Sequence, residues 1–116
     1  MTPEQKQIAL TALRSGNYRQ YREGVVNKNR TAFCCIGVMA VAMGHNRFLD
    51  TETAAKECGV GDETSIPLSK AAKKYLKKNG IKLEDCSPYL MGTLIHLNDT
   101  AKWDFNRIAD FLEVAV

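Results

Sequence analysis

The sequence predicts a mainly α-helical protein of the α+β class, a compact bundle of about five to six helices with a small basic β-hairpin after the first helix. Three observations support this prediction. Apolar residues recur at helical spacing in several segments that open on capping residues. The longest apolar run, residues 32–44, is rich in Ala and Met and has the length of a helix. Segment 17–31 instead shows the alternation typical of strands.

The size and composition of the chain predict one globular domain over residues 1–116. Of its 116 residues, 45% are apolar, which is enough to build a core. The net charge of +3 is too small to require nucleic acid as the partner, but the charge is unevenly distributed. Segments 1–31 and 70–82 are basic, whereas segments 50–63 and 84–113 are acidic. We therefore expect one positive and one negative pole.

The first residues lack the pattern of a signal peptide, in which a basic stretch precedes an apolar one. The apolar run 32–44 is too short to cross a bilayer, which needs about 20 residues. We therefore expect a cytosolic protein without membrane contact. In a reducing compartment its cysteines should be free thiols. They are Cys34, Cys35, Cys58 and Cys86.

The first helix is predicted to begin at Thr2-Pro3, because Thr2 can cap the backbone and Pro3 suits the first helical position. It should end at Ser15-Gly16, with Gly16 in the left-handed conformation. Segment 17–31 then predicts the short basic hairpin, because its polar and aromatic residues alternate before a polar turn.

The apolar run predicts the central core helix, from about Phe33 to Met43. Gly37 inside it should mark a close helix crossing, because glycine otherwise costs about 1 kcal/mol in a helix interior. Cys34 and Cys35 are expected to be buried in this helix. Further helices are predicted from Thr51 to Cys58, from Ser65 to Asn79, from Ser87 to Asp99, and from Asp104 to Glu113. The last of them should dock on the core through Phe105, Ile108 and Leu112.

Three motifs follow one another along the chain: SGNYRQ at 15–20, FCCIGV at 33–38, and LND at 97–99 followed by FNRIAD at 105–110. In these motifs the chain resembles small phage and prophage proteins of uncharacterised function, over most of its length. The resemblance implies a bacteriophage origin, and hence the bacterial cytoplasm, but no reaction. Residues 39–41 depart from the pattern, since relatives often keep a further cysteine or aspartate there. This departure weakens the idea of a shared thiol site.

The sequence contains no strong catalytic or metal-site signature. A zinc site usually draws on paired Cys or His residues two to four positions apart. Here Cys34 and Cys35 are adjacent, and the other possible ligands are scattered singly: His45, Cys58, Cys86 and His96. We expect no metal and no cofactor, with the cysteines acting as small apolar residues. A thiol nucleophile would need a lowered pKa and some exposure.

Segment 17–31 carries the best candidate for a partner-binding surface. Arginine and tyrosine together can stack on bases, bind phosphates or contact an acidic protein face. The candidate residues are Tyr18, Arg19, Tyr21, Arg22, Lys28 and Arg30. A secondary candidate is an exposed edge formed by Asn98, Asp99 and Trp103, for which turn and cap chemistry is the simpler explanation. The lysines of segment 70–78 are interpreted as a solvated helix face.

These observations predict a non-enzymatic phage protein that binds and inhibits a host factor, an antiviral-defence component such as a CRISPR effector or a nucleotide-signal system. This last step rests on association. The expected partner is a host protein or a protein–nucleic-acid complex, and the oligomeric state is left open. One alternative is a small nucleic-acid-binding module that uses residues 18–30 and the lysine helix. A second alternative is a thiol-dependent enzyme at Cys34 or Cys35.

Overall fold

The computed structural model describes residues 1–48 and 50–116. In these residues the chain forms six α-helices and one 3-10 turn, Leu83–Asp85. The helices are α1 (Pro3–Arg14), α2 (Cys35–Ala42), α3 (Thr51–Cys58), α4 (Lys70–Lys78), α5 (Leu90–Asp99) and α6 (Phe105–Ala115). No strand longer than an isolated bridge occurs in the described ranges. The predicted mainly helical class is confirmed, whereas the predicted β-hairpin is wrong.

Helix α2 lies at the centre of the molecule, where it packs against α1, α3 and α5. All its residues from Cys35 to Ala40 are buried, so the apolar run forms the core helix that the sequence predicts. The helix begins two residues after the predicted Phe33, because Phe33 is extended and bridged to other segments. Cys34 caps it, and its Sγ accepts a hydrogen bond from the backbone N–H of Gly37 at 3.5 Å.

Gly37 does mark a close approach, but its neighbour is not a helix. A Cβ added at this position would overlap the backbone carbonyl oxygen of Val25, which lies in segment 17–31. That carbonyl also accepts a hydrogen bond from the N–H of Cys34 at 3.0 Å. The prediction of a helix crossing at Gly37 is therefore wrong, and the glycine instead admits an irregular segment against the start of α2.

The hairpin is absent because Phe33 pairs with two different residues of segment 17–31 instead of lying in one antiparallel strand pair. Phe33 is bridged to Gln20 in the parallel sense and to Val26 in the antiparallel sense. The turn after Val26 is closed by the side chain of Asn27, whose Oδ1 accepts from the N–H groups of Thr31 and Ala32 at 2.8 and 3.1 Å. An acceptor side chain thus takes the N–H groups that a strand ladder would use.

Helix α1 begins and ends where the sequence predicts. Thr2 and Gln5 form a reciprocal capping box, in which the Thr2 hydroxyl accepts from the Gln5 N–H at 3.1 Å and the Gln5 side chain accepts from the Thr2 N–H at 2.8 Å. Gly16 has a positive φ of 76°. At the other end of α1, the guanidinium of Arg14 forms ion pairs with the carboxylates of Asp110 and Glu113 of α6, with N–O distances of 2.8 and 2.7 Å. These ion pairs link the two helices.

The bounds of α3 match the prediction, with an Asp50 cap and a left-handed Gly59. Helices α4 and α5, however, begin later than predicted, at Lys70 rather than near Ser65 and at Leu90 rather than after Ser87. The cause is an antiparallel bridge between Pro67 and Tyr89. It keeps both segments extended ahead of their helices.

Helix α6 packs against α1, α4 and α5; it begins at the predicted place, where Asp104 is its N-cap. Ile108 and Leu112 are fully buried, which confirms that they dock on the core. Phe105 is only half-buried and packs at the edge of the core. The dominant aromatic anchor of this helix is instead Phe111.

Candidate functional site

A buried polar cluster connects segment 17–31 to the end of α5, and Asn98 is its centre. The side chain of Asn98 is fully buried. Its Oδ1 accepts from the side chain of Gln20 at 2.8 Å and from the backbone N–H of Cys35 at 3.1 Å. Its Nδ2 donates to the carbonyl of Tyr21 at 2.8 Å and to the carboxylate of Asp99 at 2.7 Å. All four hydrogen-bonding positions of this amide are thus occupied inside the protein.

Gln20 and Arg22 extend this cluster into the loop between α5 and α6. Gln20 Nε2 also donates to the carbonyl of Trp103 at 2.9 Å. Arg22 is half-buried; its Nε donates to the carbonyl of Asn98 at 3.1 Å, and its terminal nitrogen donates to the side chain of Gln20 at 3.2 Å. Arg22, a candidate of the partner-binding surface, is thus partly used inside the protein, because the Asn98 carbonyl and the Gln20 side chain accept hydrogen bonds from its guanidinium. Together these bonds fix segment 17–31 on the helical core.

The remaining charged residues of the predicted surface do point outward. Arg19, Lys28 and Arg30 are exposed, and none of them forms an ion pair within the part of the chain that the structure describes. Arg30 has a left-handed φ of 56° and donates to the carbonyl of Asn46, while its guanidinium lies 5.2 Å from the ring centroid of Phe48. Arg30 therefore lies next to the loop that follows α2.

The two tyrosines of the predicted surface are partly used for packing. Tyr18 is half-buried and meets Phe33 edge to face, with 6.3 Å between the ring centroids. Tyr21 is half-buried, and its backbone carbonyl belongs to the Asn98 cluster. Each ring therefore offers only part of its surface to a partner.

The secondary candidate does not form an exposed edge. Asn98 is fully buried and Trp103 is 4% exposed. The Trp103 ring lies under the guanidinium of Arg107, 4.1 Å from it. Asp99 is half-buried, and burial raises the pKa of its carboxyl, while the hydrogen bond from Asn98 and the charge of Arg22 oppose that rise. Asn98 is buried because segment 17–31 and the start of α2, which supply its hydrogen-bond partners, cover it.

The lysines of α4 form a second cationic face, as the sequence predicts. Ala72 and Leu76 are the buried residues of this helix, and its lysines are all exposed. None of these lysines has a carboxylate within ion-pair distance among the described residues. They are Lys70, Lys73, Lys74, Lys77 and Lys78.

The cysteines are arranged as core residues. Cys34 and Cys35 are 5% and 0% exposed, as predicted. Burial raises the pKa of the Cys34 thiol to about 11 and that of Cys58 to about 12, and it holds the pKa of Cys35 well above its ordinary value. A nucleophilic cysteine needs the thiolate at neutral pH, so these positions do not support thiol chemistry. The described residues also hold no group of three potential metal ligands.

The role of Gln20 is not apparent from the sequence, because its place in an alternating polar segment is typical of an exposed residue. Asn98 is not apparent either, because an Asn-Asp pair at the end of a helix is typical of turn and cap chemistry. The available signal was the motifs themselves: Gln20, Cys35 and Asn98 each come from a different motif, and the structure brings all three together.

The family described as Domain of unknown function (DUF8296) matches residues 1–116, the whole chain. The chain belongs to this family. No curated protein and no solved structure shows a significant match. Within the described residues, no helix is both long and apolar enough to cross a membrane.

Proposed function

We propose that this protein is a phage-encoded binding protein of the bacterial cytoplasm that inhibits a host antiviral-defence component. One observation carries the binding role: Arg19, Lys28 and Arg30 are exposed cations without an ion-pair partner among the described residues, on a segment that a buried cluster holds in place. The anti-defence role is supported by the motif resemblance to phage proteins.

The arrangement suits an acidic protein surface. Exposed like charges repel one another, and a partner that supplies carboxylates relieves this repulsion while it gains charge-assisted hydrogen bonds from each arginine. Because the Asn98 cluster holds Gln20 and Tyr21, which directly follow Arg19, and the Arg19 carbonyl accepts from the N–H of Phe33 at 2.9 Å, little backbone entropy is lost there on binding. The half-exposed tyrosines beside it add apolar contact area.

The test begins with capture of a host protein by the tagged protein in a lysate treated with nuclease. The variant Arg19→Glu/Lys28→Glu should lose this capture, whereas the matched reversal Lys73→Glu/Lys77→Glu on α4 should retain it. Arg22 is left unchanged, because its guanidinium supports the fold. Circular dichroism must show that both variants are folded. Equal capture by the two variants would place the surface elsewhere.

The inhibitory role is tested separately, by the plating efficiency of a restricted phage on cells that carry a defence system. Expression of the wild-type protein should raise the plating efficiency, and expression of Arg19→Glu/Lys28→Glu should not. If the wild type fails to raise it for the defence system whose component is captured, the anti-defence proposal is refuted while the binding surface stands.

A second candidate function is nucleic-acid binding, which the unpaired lysines of α4 favour in combination with segment 17–31. Binding to phosphates releases counterions, so affinity for DNA would fall steeply with salt, with a log–log slope of roughly −0.9 per phosphate contacted. A mobility-shift titration over a salt series measures this slope. Capture that disappears after nuclease treatment would favour this function over protein binding.

A further inference from the structure

A polar cavity of about 420 Å³ lies where the C-terminal ends of α4 and α5 meet the first turn of α6. Sites that bind small molecules commonly enclose roughly 300–1,000 Å³. The residues that line this cavity are separate from the exposed cations of segment 17–31. The cavity therefore represents a distinct feature of the protein.

Two cationic side chains, those of Lys82 and Arg107, line this cavity beside one carboxylate. Lys82, His96 and Arg107 line it, and Asp85 is the carboxylate that the described lining residues include. No ion pair neutralises Lys82 or Arg107 within the described parts of the chain, either with Asp85 or with another acid. The cavity therefore carries an excess of positive charge, which an anionic ligand would complement.

Arg107 is positioned before any ligand arrives. The central carbon of its guanidinium lies over the Trp103 ring, 4.1 Å from the ring centroid. Trp103 is itself buried, and its backbone N–H donates to the carbonyl of Leu97 at 2.9 Å. A guanidinium stacked through its face keeps its edge N–H groups available, and those groups match the geometry of phosphate and carboxylate oxygens.

The helix ends at this cavity do not themselves require the cations. C-terminal carbonyls attract positive groups when they lack hydrogen-bond donors. Here the carbonyl of Leu76 accepts from the N–H groups of Asn79 and Ile81 at 3.1 and 2.9 Å. The carbonyl of His96 accepts from two N–H groups of the following turn, both at 2.9 Å. These two carbonyls therefore have backbone donors and do not require a cation from the cavity wall.

We propose that this cavity binds a small ligand bearing a phosphate or carboxylate group. Arg107 and Lys82 hold the anionic group, and Asp85 accepts a hydrogen bond from a hydroxyl or amine of the same ligand. Ile81 and Ala101, which also line the cavity, contact its apolar part. This proposal does not depend on the partner-binding surface proposed above.

The test is titration of the full chain with pyrophosphate, AMP and citrate at constant ionic strength, with sodium chloride as the control. Isothermal calorimetry measures affinity, and fluorescence of Trp103, the single tryptophan of the chain, reports binding at the cavity. At least one probe should bind saturably. Preference for pyrophosphate and AMP would identify a phosphate ligand, and preference for citrate a carboxylate ligand; either result supports the site.

Two variants remove cavity cations: Arg107→Gln and Lys82→Gln. Each should weaken binding of the probe by calorimetry about tenfold or more, as expected for loss of one charge-assisted contact. The control Lys74→Gln removes the same charge from an exposed position of α4 outside this cavity and should leave affinity unchanged. Absence of saturable binding for all three probes overturns the proposal. An equal loss of affinity in Lys74→Gln overturns it as well, because binding would then follow net charge rather than the cavity.

Discussion

Replacement of Asn98 by alanine tests whether the buried polar cluster holds segment 17–31 on the core. The substitution removes all four side-chain hydrogen bonds of Asn98. It leaves the N–H of Cys35, a fully buried residue, and the carbonyl of the half-buried Tyr21 without their partner. Each buried group left unsatisfied costs about 1–3 kcal/mol. We expect Asn98→Ala to lower the free energy of unfolding by roughly 2–5 kcal/mol.

This loss is large relative to the total stability of a domain of this size, about 5–15 kcal/mol. Urea denaturation followed by circular dichroism measures it, and the midpoint should fall by roughly 1–3 M. The matched control is Asn106→Ala, since Asn106 is an exposed asparagine on α6. The control should stay within about 0.5 kcal/mol of wild type. If Asn98→Ala and Asn106→Ala are equally stable at pH 7, the cluster does not hold the segment.

A third variant, Asn98→Asp, separates the two sides of the amide. It keeps an oxygen that can accept from Gln20 and Cys35, but it loses the donor to Tyr21 and places a carboxylate beside Asp99. Burial and the adjacent carboxylate both disfavour the charged form of the new side chain. The folded-state pKa of this group is therefore raised, so the destabilisation should decrease as the pH falls. A pH-independent loss of stability would contradict this reasoning.

The remaining predictions concern the thiols, the last helix and Asp99. Iodoacetamide at pH 8 should alkylate the half-buried Cys86 first and the fully buried Cys35 only on unfolding, as mapped by mass spectrometry; early labelling of Cys35 would contradict its burial. Leu112→Ala should lower the free energy of unfolding, measured by urea melts, by about 2–5 kcal/mol, and Phe105→Ala should lower it less because Phe105 is only half-buried. A larger loss for Phe105→Ala would show that α6 docks differently. Burial raises the pKa of the Asp99 carboxyl, so the folded state binds this proton more tightly than the unfolded state. The wild type should therefore gain stability relative to Asp99→Asn as the pH falls from 7 to 4, as measured by urea melts. A loss of relative stability over this range would contradict burial as the cause of the raised pKa.

The parts of the fold that could be predicted from the sequence are those that local chemistry determines. The Thr2 capping box, the Asp50 and Asp104 caps and the left-handed Gly16 involve residues close together in the chain. The late start of α5 could not be predicted in this way. It depends on a bridge from Tyr89 to a segment that precedes α4.

The candidate site was harder to predict for a related reason. An arginine in a basic, alternating segment is usually exposed, and this holds for Arg19 and Lys28. Arg22 differs because two of its acceptors, the backbone carbonyls of Asn98 and Lys102, are distant from it in sequence. Gln20, its third acceptor, is close in sequence, but nothing near Arg22 indicates that the two distant carbonyls will accept from it.

The motif residues that meet in the Asn98 cluster help to determine the fold, whereas exposed charges outside that cluster are the ones expected to determine the partner. Gln20, Cys35 and Asn98 come from the three motifs and meet in one buried cluster, so those motif positions are explained by packing and hydrogen bonding. Lys28 and Arg30 lie outside the motifs, are exposed and make no contribution to that cluster. Proteins that share the motifs are therefore expected to share the cluster, while the charges on the turn between Asn27 and Arg30 are free to differ. The partner should accordingly depend on the charges of this turn, together with the exposed Arg19, rather than on membership of the family.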